Sequence, residues 1–461
     1  ASAGWYGADW GYRKEIKVDH AKVSADLAYF PMLVSFTDPA LKTVANGGKV
    51  QNPSGNLDIM FTAVNGTTKL DHEIEKYTDT TGELVAWVKI PALSSTVDTS
   101  IYIYYGNSTI TQPQENKPGV WDDGGANNFK GVWHLGETGT GAAGDYKDST
   151  QYAGNSTNST GQPASTTGSI GSGQSFNGTS QQISLSGSQT VTSATFSTWV
   201  YRSASEMSYA GILFSRGTNT SGLDVYAATN DIGYHWNDVN ASFMFDSGLN
   251  LLLNKWAYVV VTVTPTAATF YMGNDGAVTS ATNTMTHTVS TIDALRIGLD
   301  GAAGYGRYFT GSIDEARFSN VARSSQWIST EYNNQSNPTE FSTLGIEEVS
   351  SPTVLSSFGY RKAITIDHTK VSGDLVNFPV LINLPTDASL AAHAQADGDD
   401  ILFASSGVSW STGTVNDKLA SEIETYTTAT GSLQAWVKIP SLSSTVDTVI
   451  YMYYGNGSVT T

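Results

Sequence analysis

The chain has 461 residues, of which 39% are hydrophobic and only 14% charged; that length suits about three domains, each with its own core. A formal charge of −18 and a pI near 4.6 exclude a basic surface for nucleic acid or anionic lipid. Cysteine is absent, which excludes disulfides, thiolate metal sites and cysteine nucleophiles, and no apolar run approaches the roughly 18 residues of a membrane span.

The chain opens Ala1-Ser2-Ala3-Gly4, which reads as a mature N-terminus left by signal cleavage or as a trimmed start. The first domain then alternates polar and apolar residues at period two in RKEIKVDH, LVAWVKIP and TSIYIYYG, the pattern of half-buried strands. Pro91 is expected to close one strand and Gly106-Asn107 another, while PALKTVAN is long enough for one or two helical turns. Within it, LDHEIE gathers Asp71, His72, Glu73 and Glu75, with Asp58 upstream. Such a group suggests a metal site or an acid–base pair.

From about residue 129 the wording changes. FKGVWHLGE is followed by a Gly/Ser/Thr/Asn-rich stretch over 138–173, then by short strand-like segments at close spacing: TFSTWVY, GILFSRG, LDVYAATNDIGYHWN, NKWAYVVVTV and FTGSIDEARFS. A short helix is expected near 324–333. This is the profile of a large β-sandwich.

At residue 359 the chain starts over. GYRKEIKVDHAKVSADLAYFPML at 11–33 returns as GYRKAITIDHTKVSGDLVNFPVL at 359–381, and the AWVKIP block ending in YYGN returns with it. An internal repeat of this quality is a duplicated domain. In the second copy LDHEIE becomes LASEIE, so Asp71 and His72 give way to Ala420 and Ser421, and a chemistry needing the histidine is lost there. Glu73 and Glu75, matched by Glu422 and Glu424, are therefore expected to be structural, paired with Lys14 and Lys362. An A–B–A order reads as a piece of a longer A–B–A–B array.

The repeated motifs GYRK.I.IDH.KVSGDL.NFPVL and AWVKIPSLSS..DT.IYMYYGN resemble a domain of unknown function, DUF2341, of exported prokaryotic multidomain proteins. The middle, through Gly131–Glu137, Asp148–Asn155, Ser175–Gly178, Phe196–Val200, Trp256–Asn274 and Gly311–Ile328, resembles the laminin G-like, concanavalin A-like jelly roll. That resemblance implies an ordered loop over 138–173, and a fold often used for carbohydrate or glycoprotein binding. It also implies a structural Ca²⁺ held by Asp314 with Asp148, because Ca²⁺ takes hard oxygens from flexible loops.

For a sugar platform, Tyr226, Ile232, Tyr234 and Trp236 share one face by period two, with Asp231-Ile232-Gly233 as the turn between two strands. Tyr234 and Trp236 would stack on a pyranoside while Asn237 and Asp238 fix hydroxyls. The alternative places these rings in the core, as for Trp199 and Trp256. A second loop offers Tyr305, Arg307 and Tyr308. No catalytic residues are expected: the paired carboxylates of glycosidases are not evident, and Asp314 and Glu315, adjacent on a strand, should point to opposite faces.

The expectation is thus an all-β chain of three β-sandwich domains, at 1–112, 113–349 and 350–461, the central one a concanavalin A-like jelly roll. It is expected to be extracellular or surface-displayed, non-enzymatic, and to recognise a glycan or glycoprotein. The alternative is a structural subunit that self-associates into a fibre, sheath or surface layer; a third reading is a fragment of a polysaccharide-degrading enzyme.

Overall fold

The computed structural model describes residues 4–7, 9–52, 55–122, 129–226, 229–350, 354–457 and 459. The protein is all-β, and it divides into two compact units, Ala1–Val349 and Ser350–Thr461. Among the described residues no helix is long and apolar enough to cross a membrane.

In the first unit the leading sandwich has two sheets. One runs in the order Ser342–Val349, Tyr12–Val18, Thr99–Tyr105, Ile59–Ala63, Lys69–Leu70. The other runs Leu27–Thr37, Glu83–Leu93, His72–Thr78. The strands are rich in Val, Ile, Tyr and Phe, and their alternate residues fill the space between the sheets. Pro91 does not close its strand, which continues to Leu93. The neighbour His72–Thr78 has already ended opposite Val88, so at Pro91 no amide is needed on that side.

The jelly roll supplies the rest. Its larger sheet follows Ala277–Thr284, Ala267–Asn274, Trp256–Val263, Ala194–Arg202, Thr310–Ser319, Ser172–Asn177, Ala164–Thr167, and Phe129–Trp133 also pairs with Thr310–Ser319. Facing it is a sheet of Ile183–Ser184, Leu295–Ile297, Gly211–Arg216, Thr220–Tyr226 and Asp231–His235. A helix, Ser325–Ser336, is capped by Ser324, whose hydroxyl accepts from the Trp327 amide. Trp199, Tyr258, Trp327, Ile328 and Tyr332 form one continuous apolar core with Phe30, Leu33 and Trp87 of the first sandwich. Asn334 fastens the helix to the sandwich, exchanging hydrogen bonds of 2.7 and 2.9 Å with the Leu33 backbone.

The sugar platform does not form. Tyr234 and Trp236 are each 1% exposed, inside the core between the jelly-roll sheets. Tyr234 packs edge-on to Phe270, and Trp236 donates to the Thr288 carbonyl. Asp231-Ile232-Gly233 is not a turn but part of the strand Asp231–His235, paired with Thr220–Tyr226. Asn237 and Asp238 follow that strand with left-handed φ of 53° and 55°; the Asn237 amide is bonded to Thr288 and Val289.

The second unit repeats six strands of the first sandwich in the same order, without counterparts of Lys69–Leu70 and Ser342–Val349 among the described residues. Its sheets are Tyr360–Ile366, Thr448–Tyr454, Leu402–Ser405 and Leu375–Leu384, Ser432–Leu442, Ser421–Thr427. Even local irregularities recur. Tyr29 and Asn377, at equivalent places, both have φ of 54°. The register slips once between Ile74 and Lys76, and again between Ile423 and Thr425.

Candidate functional site

The register slips put Glu75 in the extra place of a β-bulge, which re-aims a side chain out of strict alternation. Glu73, opposite Trp87 on the next strand, precedes it. Both carboxylates are buried where the first sandwich meets the jelly roll, and neither pairs with Lys14 or Lys362. Those lysines bridge Asp38 and Asp387 instead.

A second bulge supplies the other half of the site. Ser197 faces Arg317 and Trp199 faces Asp314, so Thr198 faces both Glu315 and Ala316. Glu315 has φ of 52°, a left-handed conformation that is costly for a residue with a side chain and marks a functional or structural constraint. The expected opposite-face arrangement fails for this reason: Asp314 and Glu315 are both wholly buried, and both act on the Glu75 cluster.

His134, just after the strand Phe129–Trp133, joins the halves. Its Nε2 lies 3.1 Å from Glu73 and its Nδ1 2.7 Å from Glu315, with Glu75 at 3.6 Å. Two carboxylate acceptors on two ring nitrogens call for two N–H groups, hence an imidazolium. Burial would lower its pKa, but the charges of Glu315 and Glu73 raise it well above the usual imidazole range. The ring stacks on Trp87 at 5.7 Å and leans on Trp121 at 5.6 Å.

The carboxyls are driven apart. Burial raises Glu73, but the His134 charge and hydrogen bonds from His134, Trp121 and Ser149 outweigh it and hold the group at about 2. Both Glu73 oxygens are engaged, one by Ser149 and the other by Trp121 and His134. Glu75, buried and facing Glu315, is pushed well above the carboxylate range, although Trp87 Nε1 donates to it at 2.8 Å. Arg317 donates to Glu315 at 2.8 Å and reaches Glu331 at 3.4 Å, with its guanidinium 4.3 Å from the Trp87 ring centre. Lys117 stands 3.6 Å from Glu73 at the outer edge.

Above this network opens a cleft of about 520 Å³, lined by Glu73, Glu75, Lys117, His134, Glu137, Lys147, Asp148, Ser149 and Asn155. Glu75, His134 and Glu315 are also close enough to share a cation, but charged His134 already engages Glu315.

Asp148 and Asp314, the expected calcium ligands, are held by different sets of hydrogen bonds. Asp148 accepts from the amides of Val132, Thr150 and Gly154 and from the Thr150 hydroxyl, so it fastens its own loop. Asp314 accepts from the Ile170 amide with one oxygen, while the other has no partner among the described residues. Burial, then the charges of Glu315 and Glu75, raise its carboxyl well above the carboxylate range. His72 is buried and neutral, its pKa lowered by burial to about 4, and its ring lies edge-on to Phe61. Asp71 bridges Lys89 at 3.0 Å. In the second candidate loop Tyr305 is exposed and carries Arg307 over its ring.

Sequence reasoning missed Glu73, Glu75, His134 and Glu315 as a group. The available signal was the survival of both glutamates in a copy that lost Asp71 and His72.

No curated protein matches the sequence. Among solved structures, domain 4 of AbnA, a GH43 extracellular arabinanase from Geobacillus stearothermophilus in complex with arabinotriose, is similar at 18% identity. The match covers 45% of this chain and 98% of that one, with a TM-score of 0.35. A Trypanosoma rangeli sialidase in complex with the inhibitor DANA is similar at 14% identity, covering 57% of this chain and 43% of that one, TM-score 0.32. The chain thus spans under half of the sialidase, and both are likenesses of fold alone. The expectation of a non-enzymatic chain is corrected here: the superfamily whose model matches residues 177–329 holds glucanases as well as lectins, and clustered buried carboxyls, the lack of which motivated that expectation, are present around His134. Residues 177–329 match the concanavalin A-like lectin/glucanases superfamily, in its laminin G type, and residues 56–123 and 397–461 match DUF2341, so the chain carries a concanavalin A-like domain between two DUF2341 domains.

Proposed function

We propose that residues 1–349 act on carbohydrate outside the cell, with the ligand held in the cleft between the first sandwich and the jelly roll. The observation that carries this reading is the cleft itself: about 520 Å³, with a floor of His134, Glu73 and Glu75 and a rim of Lys117, Glu137, Lys147 and Asn155. A concave site of this size with converging carboxylates, amides and ammonium groups suits hydroxyl-rich ligands. The match of residues 177–329 to the concanavalin A-like lectin/glucanases superfamily supports a glycan as the class of ligand.

A specific observation favours hydrolysis as a second reading. A glycosidic bond is cut by one protonated and one ionised carboxyl. Burial and the Glu315 charge raise Glu75 well above the carboxylate range, which favours the acid form that would protonate a glycosidic oxygen, while Glu73, two residues away, is lowered to about 2. Because Glu73 spends both oxygens on protein donors, its part would be electrostatic support of a developing positive charge, not attack.

The test is a polysaccharide array probed with the full chain and with Lys117→Ala. At least one glycan class should bind, about tenfold more weakly in the variant. Release of reducing ends from that glycan, abolished in Glu75→Gln with binding kept, would establish hydrolysis. Absence of any glycan binding, or binding indifferent to Lys117 and Glu137 substitutions, would overturn the proposal.

A further inference from the structure

The two copies of the sandwich share strand order and bulges, yet their surfaces differ at the same positions. In the first copy Phe30, Leu33 and Trp87 are 0% exposed, because the jelly roll and its helix cover them. Phe30 meets Trp327 at 5.1 Å. Their equivalents in the second copy, Phe378, Leu381 and Trp436, are 42%, 44% and 40% exposed. Leu381 opposes Trp436, which opposes Glu422, so one row crosses that sheet face. Open apolar rows of this kind mark interaction sites.

The polar half of the first junction is also retained. Trp436 Nε1 donates to Glu424 at 3.1 Å, as Trp87 does to Glu75 at 2.8 Å. The carboxylate pair therefore stands ready in the second copy without a jelly roll upon it.

A second edge tells the same story. In the first copy the strand Tyr12–Val18 is covered by Ser342–Val349, the strand that leaves the jelly roll. Glu348 bridges Arg13 at 2.7 Å, and Tyr105 donates to Glu347 at 2.7 Å. In the second copy the equivalent strand, Tyr360–Ile366, ends its three-stranded sheet. Arg361 is exposed, and it rests on Trp410 and Tyr451 at 4.4 and 4.5 Å, as Arg13 rests on Trp5 and Tyr102 at 4.6 and 4.2 Å. Tyr454 and Lys362 are kept as well.

We infer that this face and edge of residues 350–461 are a docking surface for a further jelly-roll domain of the type found at 129–341, with its return strand. The occupant would place a histidine between Glu422 and Glu424 and its own buried glutamate, cover Leu381 and Trp436, and add an antiparallel strand to Tyr360–Ile366 whose acidic side chain pairs with Arg361. The assignment rests on continuity with the junction already formed in the first copy. β-Strand addition supplies affinity and the apolar row supplies register.

The test appends a second copy of residues 113–349 after Thr461 and follows hydrogen exchange in Tyr360–Ile366 and Leu375–Leu384. Exchange in both should slow at least tenfold relative to the parent chain, and Leu381→Asp in the extended chain should reverse this. Unchanged exchange there, with the appended domain itself protected, overturns the inference. So does a parent chain whose protection at these strands rises with its own concentration, which assigns the face to self-association. A measurement that needs no folded partner adds a synthetic peptide of residues 341–349 at millimolar concentration to the parent chain. Protection confined to Tyr360–Ile366 and lost in Arg361→Glu is expected; no protection overturns the strand-acceptor assignment.

Discussion

Glu73 of the first sandwich and His134 of the jelly roll meet at 3.1 Å, in a place that neither domain builds alone. The pair is wrapped by Trp87 and Trp121 and continued by Glu315 and Arg317, so charge, aromatic packing and domain attachment are one structure. Buried ions of this kind need every partner. The cleft above them inherits its fixed charges from that requirement.

Removing one partner should be costly. His134→Leu removes the cation that Glu73 and Glu315 share, leaving Glu315 only Arg317 and Glu73 only the distant Lys117, and breaking a buried ion network typically costs about 3–5 kcal/mol. Urea unfolding of the full chain should show that loss in its first-unit transition and leave the second-unit transition unmoved. The double variant Glu73→Gln with His134→Leu should recover part of it, as groups in one network are not additive.

Stability should depend on pH in both directions. Glu73, lowered from 4.5 to about 2, stabilises above its unfolded range and loses that contribution as pH falls from about 4.5 toward 2. Glu75 and Asp314, both raised by burial and then by neighbouring carboxylates, act oppositely. Their protonated forms are favoured in the fold, so stability drains away as pH climbs above the ordinary carboxylate range. The raised His134 gives its full contribution below 6.5 and loses it as pH rises through its folded value. Thermal midpoints of the first unit should therefore be highest in weak acid, near pH 5, and lower at pH 3 and at pH 8.5. Glu75→Gln should flatten the alkaline side; a midpoint that rises steadily to pH 8.5 would contradict this.

Trp236→Ala should behave as a core truncation. The ring is buried between the jelly-roll sheets, and such changes typically cost about 3–5 kcal/mol. Chemical denaturation should show the loss, while glycan affinity, measured at a temperature where the variant is folded, should equal that of the parent.

The same substitution should have opposite outcomes in the two copies. Leu33→Asp places a charge in the apolar junction and should cost on the order of 4 kcal/mol or more. Leu381→Asp, on an open face, should shift stability by less than about 0.5 kcal/mol. Comparing the two midpoints decides whether the exposure difference is real in solution.

Much of the fold was legible because strands announce themselves by period two and a duplication by repeated words: RKEIKVDH and AWVKIP became strands in both copies. The site was not, for two physical reasons. Alternation forecasts where a side chain points only while a strand is regular, and Glu75 and Glu315 each sit in a bulge. His134 and Glu73, moreover, are 61 residues apart, and only the packing of two domains brings them together. The aromatic face of Tyr234 and Trp236 misled for a simpler reason. Period two identifies a face without saying whether solvent or a second sheet lies against it, and here Phe270 does.

The central claim, that the cleft over His134 takes the carbohydrate, is tested most directly by hydrogen exchange of the full chain with and without a saturating glycan from the array. Exchange should slow in His72–Thr78 and in residues 147–155, which both line the cleft, and not in Asp231–His235. Glycan binding that leaves the first two segments unchanged, or that protects only Asp231–His235 and the turn after it, would contradict it.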